Sequence, residues 1–92
     1  MSEYILIMNQ AEKAKIVMLK QEEEGEALFL NLLARFGPDG MIYYKRGLVY
    51  EELGRYQKAL DDFELAKVRF FNKTWIDAAD NGIFRMKNKL CK

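Results

Sequence analysis

Displacing the chain by 34 residues sets like on like. Phe29 falls on Phe63, Arg35 on Arg69, Phe36 on Phe70, Ile42 on Ile76 and Leu19 on Leu53; Ile16, Tyr50 and Phe84 share one column. A fixed period constrains a fold more than any single residue does. It means that one supersecondary unit recurs and that each copy buries its apolar side against its neighbour. Ninety-two residues hold two such units and part of a third, one domain's worth of chain with a modest core.

The material between the repeats is helical. Half of the residues are apolar and 32% are charged, a globular balance, and only one proline and six glycines interrupt it. Strict alternation of apolar and polar residues is absent. Tyr56, Ala59, Leu60, Phe63, Ala66, Lys67 and Phe70 instead follow the three-and-four spacing of one helix face. Caps and breakers divide the chain into five helices. Ser2 caps a first helix running to about Lys20. Glu22, Glu23 and Glu24 suit the first turn of a second, which stops at Phe36 before Gly37 and Pro38. Asp39 caps a third, ending near Gly54; a fourth runs from Tyr56 to Phe71; Asn72 and Lys73 interrupt, and Thr74 with Asp77 has capping-box spacing for a fifth, ending near Leu90.

Residues 40–73 resemble a tetratricopeptide repeat, whose pattern is W-x2-L-G-x2-Y, then A-x3-F, then P. Tyr43 stands for the Trp, Gly47 and Tyr50 match, and Ala59 and Phe63 match at the right spacing; Ala66 and the Gly54-x-Tyr56 turn fit as well. Arg46 replaces the Leu. Phe71 replaces the Pro, so the fourth helix is expected to run past the usual stop. Residues 6–39 resemble a degenerate repeat through Phe29 and the Phe36-Gly37-Pro38-Asp39 ending. There the frame puts Asn9, Glu12 and Lys13 at core places, so the first turn is expected to be one to three residues off the usual length, or the first helix rotated. Its apolar stripe is read as Met8, Ala11, Ala14 and Met18. Residues 74–90 supply a lone capping helix. The resemblance implies an all-α superhelix of about five antiparallel helices in a single domain.

Catalytic chemistry finds little support. The chain has no histidine, no CxxC and no glycine-rich phosphate loop. Glu51-Glu52 and Asp61-Asp62 are adjacent acids, which point apart on a helix, and both pairs are read as solvated surface. Cys91, the one cysteine, lacks a histidine partner and fits a reducing compartment. The Tyr4-to-Met8 run is too short for a signal-peptide core or a membrane span, so a cytoplasmic, non-enzymatic protein without cofactor or metal is expected.

Binding is the expected work. In the family the first helix of each pair lines a concave groove. The resemblance carries that groove onto Met41, Tyr44, Lys45, Leu48, Glu51 and Glu52, flanked by Gln10, Ala14 and Val17 on one side and Trp75 on the other. An apolar strip of Met41, Tyr44 and Leu48 edged by Lys45 and Glu51 suits a peptide or the apolar face of a helix. The same spacing fits a core stripe covered by the first or last helix. Trp75 likewise fits either an anchor against Phe70 or Phe71 or an exposed binding residue. Gly82, inside the fifth helix, is either a tolerated weak spot or a point of close backbone approach. The favoured function is a protein–protein interaction module, with a self-associating scaffold (a homodimer, for instance) as the alternative. Residues 65–92 carry seven Lys/Arg against two acids, net +5, leaving −4 for residues 1–64 and +1 overall. That balance sets nucleic acid a distant third.

Overall fold

The computed structural model describes residues 2–91, and they form an all-α domain of five helices. These are α1 (Glu3–Lys20), α2 (Glu22–Phe36), α3 (Gly40–Glu52), α4 (Tyr56–Arg69) and α5 (Lys73–Leu90). Local chemistry explains most boundaries. The Ser2 hydroxyl accepts from the Ile5 N–H at 3.3 Å, and the Asp39 carboxylate accepts from the Met41 N–H at 2.8 Å. Between α3 and α4 the chain turns through Gly54 at φ +77°. There the Arg55 N–H reaches the Tyr50 carbonyl and the Gly54 N–H the Glu51 carbonyl, the paired bonds of a Schellman ending.

Two expected boundaries are corrected. The fourth helix stops at Arg69, not Phe71, because Phe70 turns extended with ψ 143°. The fifth begins at Lys73 with Asn72 as its cap, not Thr74. The Asn72 side-chain oxygen accepts from the Thr74 and Trp75 N–H groups at 2.8 and 3.4 Å, and asparagine is among the strongest caps.

Successive helices run antiparallel. α1 lies along both α2 and α3, and α4 lies between α3 and α5, whereas α2 meets α3, and α5 meets α3, only over short stretches. The two hairpins differ at their turns. A single residue, Gln21, joins α1 to α2, while Leu53, Gly54 and Arg55 join α3 to α4. A turn two residues shorter moves α1 relative to the place that α3 takes in its own hairpin. The buried stripe of α1 is accordingly Ile7, Ala11, Ala14 and Met18, with Met8 half-buried beside it.

Phe29 and Phe63, one period apart, are both fully buried. The Phe63 ring is gripped from two sides. A Cβ added at Gly47 would come within 3.0 Å of it, and one at Gly82 within 2.7 Å. Gly82 is therefore a close-contact residue, though a ring and not a second backbone approaches it. Gly25 has the corresponding part in the first hairpin, where an added Cβ would overlap the backbone of Met18.

Asp62 overturns the solvated reading of the Asp61-Asp62 pair. It is 3% exposed, and its two oxygens accept from Arg46 Nε at 2.8 Å and a terminal Arg46 nitrogen at 2.9 Å. Arg46 departs from the repeat pattern, and Asp62 is the partner that satisfies it. A guanidinium fork is the donor that best matches a buried carboxylate.

Candidate functional site at the aromatic end of the third helix

The α3 residues expected in a groove are mostly engaged within the chain. Met41 is 1% exposed, and Leu48 packs half-buried against the core. Lys45 Nζ donates to Glu12 of α1 at 3.0 Å, and Glu51 accepts two hydrogen bonds from Arg85 of α5, both at 2.8 Å. The charged edges of the strip thus tie α3 to its neighbours. Glu52 is exposed, Ala14 is buried and Val17 is half-buried. Gln10 is not brought to α3; it lines a separate hollow of about 330 Å³ with Leu28, Asn31, Leu32 and Arg35 of α2.

Five ion pairs join one 34-residue period to the next: Glu12 with Lys45, Glu22 with Arg55, Glu26 with Lys58 at 3.7 Å, Glu51 with Arg85, and Lys67 with Asp80 at 2.7 Å. In the first four the acid lies upstream and the base 32 to 34 residues downstream; in Lys67–Asp80 the order is reversed. Lys45 holds the Glu12 carboxyl below its usual range by hydrogen bonding, and Arg55 does the same for Glu22; partial desolvation opposes both. Burial, followed by its hydrogen bond to Glu26 at 2.6 Å, raises the Tyr50 phenol. Burial also raises the Asp62 carboxyl, against the opposing hydrogen bonds from Arg46.

Tyr44 and Trp75 are brought together. Trp75 stacks on Phe70, ring centres 5.8 Å apart at 25°, and Tyr44 meets Trp75 edge-on at 5.7 Å and Phe70 edge-on at 6.1 Å. Such pairs add to the burial of the rings themselves. Trp75 therefore anchors α5 against Phe70. Beside this cluster a hollow of about 240 Å³ opens, lined by Tyr4, Gly40, Met41, Phe70, Phe71 and Trp75, with Asp39, Arg69 and Asn72 at its polar margin. Of the expected groove residues it takes Met41 and Trp75.

Phe71 was missed by sequence reasoning. It stands 100% exposed at the margin of the hollow, in the short link between α4 and α5. Its signal in the sequence is an aromatic residue where the repeat pattern puts proline; the structure makes it the exposed ring of the link rather than a continuation of α4. Among the described residues no cluster of His, Cys, Asp or Glu is arranged to hold a metal ion, and no helix is long and apolar enough to cross a membrane.

Among the described residues, the fold and site define an all-α chain of five helices with an aromatic hollow at one end of α3. No protein-family model matches it, and neither a curated protein nor a solved structure is significantly similar to it.

Proposed function

We propose that the chain is a small tetratricopeptide-like module that binds another polypeptide. On this reading it does so at the aromatic end of α3 and not along the whole strip from Met41 to Glu51. The period of 34 residues, with Phe29 and Phe63 buried in successive hairpins, supports the repeat reading. The observation that carries the binding reading is the hollow of about 240 Å³ with a bare phenylalanine at its edge. A single exposed apolar side chain is ordinary on a protein surface. A fully exposed aromatic ring beside an apolar hollow, with an acid and a base at the margin, has the composition of an interface: an apolar centre and a polar rim. An apolar side chain of the partner enters the hollow, contacts Met41, Phe70 and Trp75, and expels water, while Asp39, Arg69 and Asn72 orient the backbone that carries it.

The test is selection of short random peptides against the immobilised chain, followed by titration of the winners. The expected winners share an apolar anchor and bind the Phe71→Ser variant at least roughly tenfold more weakly, a loss of about 1.4 kcal/mol. No enrichment, or peptides indifferent to Phe71, would refute binding at this site. Phe71 is the preferred position for the test because Leu48, the other apolar candidate, packs on the core and its replacement would disturb the fold.

A further inference from the structure

Resting on the reading of the aromatic end as a binding surface, we propose that its partner is a second copy of this chain, paired about a two-fold axis. Each copy inserts Phe71 into the other's hollow.

Two observations point to a copy and not to an unrelated polypeptide. The first is that projection and recess lie side by side on one surface. Phe71 is fully exposed at the margin of the hollow, and the floor is built from Gly40, Met41, Phe70 and Trp75. A two-fold operation is the one arrangement that lets a single patch fill itself twice, because residue i meets residue j while j meets i. The hollow, at about 240 Å³, far exceeds the roughly 30 Å³ share of one water and has room for an aromatic ring. A foreign peptide can fill one hollow and cover one Phe71, whereas a second copy seats two Phe71 rings in two hollows at once.

The second observation is charge. Asp39 and Arg69 both line the margin, and neither forms an ion pair among the described residues. Arg55, Lys45 and Arg85 on other faces are all taken up by carboxylates of the same chain. A surface that bears one unpaired acid and one unpaired base beside its apolar centre is complementary to its own image. In the two-fold pair, Arg69 of each copy lies against Asp39 of the other.

Gly40 keeps the floor open. A Cβ there would stand 2.8 Å from the Phe70 ring. It would force that ring to shift, and the ring is part of the floor. The contact is small. Two rings and two ion pairs place it below about 1,200 Å², where complexes are weak and exchange quickly. Dimerisation is therefore a matter of concentration, and the two-fold pair competes with any peptide that uses the same hollow.

The experiment is sedimentation equilibrium of the full chain over a micromolar-to-millimolar series, alongside three variants. The unaltered chain is expected to shift from monomer to dimer as concentration rises. Phe71→Asp is expected to weaken association at least a hundredfold while leaving helix content and thermal midpoint unchanged, since the side chain it replaces is fully exposed. Arg69→Glu is expected to weaken it about tenfold or more. Asp39→Asn keeps the cap of α3 and removes only the charge, and is expected to have a smaller effect in the same direction. A chain that remains monomeric at millimolar concentration overturns the proposal, and so does a dimer that Phe71→Asp leaves intact. Peptide binding at the hollow by a strictly monomeric chain would overturn the two-fold pair while upholding the binding site. Loss of Phe71-dependent binding of every kind would refute both.

Discussion

The two hairpins carry the same period and close by different means. In α1/α2 the turn is one residue long, and the helices approach backbone to backbone where Gly25 faces Met18. In α3/α4 the turn is three residues long, the approach is made through the Phe63 ring against Gly47, and a buried Arg46–Asp62 pair locks the crossing. At the places one period upstream of that pair stand Glu12 and Leu28. Glu12 instead pairs with Lys45 of α3, and among the described residues no ion pair joins α1 to α2. A repeat thus preserves its large core side chains while its turn length decides which helix faces are left to meet them.

The sharpest way to break this comparison is to unlock the second hairpin. Asp62→Ala leaves Arg46 largely buried without its partner and should cost about 3–5 kcal/mol in urea unfolding. Replacing both residues with leucine should recover most of that loss, because two apolar side chains of similar size demand no pairing. A double variant as unstable as the single one would mean that the fork has a further role in the fold. Next comes Gly25→Ala. It makes the first repeat match the second, where Ala59 stands, and it also favours the helix by about 1 kcal/mol. Even so it should lower stability by about 1–3 kcal/mol, since the backbone of Met18 occupies the methyl's place. A rise in thermal midpoint would show that the hairpins are equivalent after all.

The smallest effect is expected from pH, and it probes the junction between the hairpins. Glu12 and Glu22 have carboxyls below the usual range when folded, so their contribution is complete above the unfolded value of about 4.3 and fades as pH falls through the folded values. Asp62, raised by burial, runs the opposite way. A Lys45→Met variant should show a shallower decline in thermal midpoint between neutral pH and pH of about 3 than the unaltered chain. An identical decline would mean that the Glu12–Lys45 bridge adds nothing.

How far the sequence exposed this molecule depended on what each residue meets. Ser2, Gly37, Asp39 and Gly54 act on the backbone within a few residues, and their effects were legible. Phe29 and Phe63 were legible through the period. Asp62 was not, because adjacent acids usually face water and its partner lies sixteen residues away on another helix. The clue was Arg46 at an apolar place, which needed a buried acid nearby to make sense. Gly25 was legible in principle, falling on Ala59 in the same 34-residue frame, yet the depth of its contact with Met18 depends on the length of the turn. Of the residues expected in a groove, Met41, Tyr44 and Trp75 lie together at one end of α3. Lys45 and Glu51 were placed at the edge of the strip, but no local pattern announces that Glu12 and Arg85 arrive to neutralise them.

The upstream-acid, downstream-base order of four of the five bridging pairs bears on how such a chain can lengthen. Duplication is the simplest route to a longer array, and residues 40–73 are the unit most suited to it. A duplicate inserted after residue 73 would set its own Glu51 equivalent where Arg85 now stands, 34 residues on. Two carboxylates would then meet across the new junction in place of the Glu51–Arg85 pair. Growth by copying would therefore add a repeat and a like-charge contact in the same step.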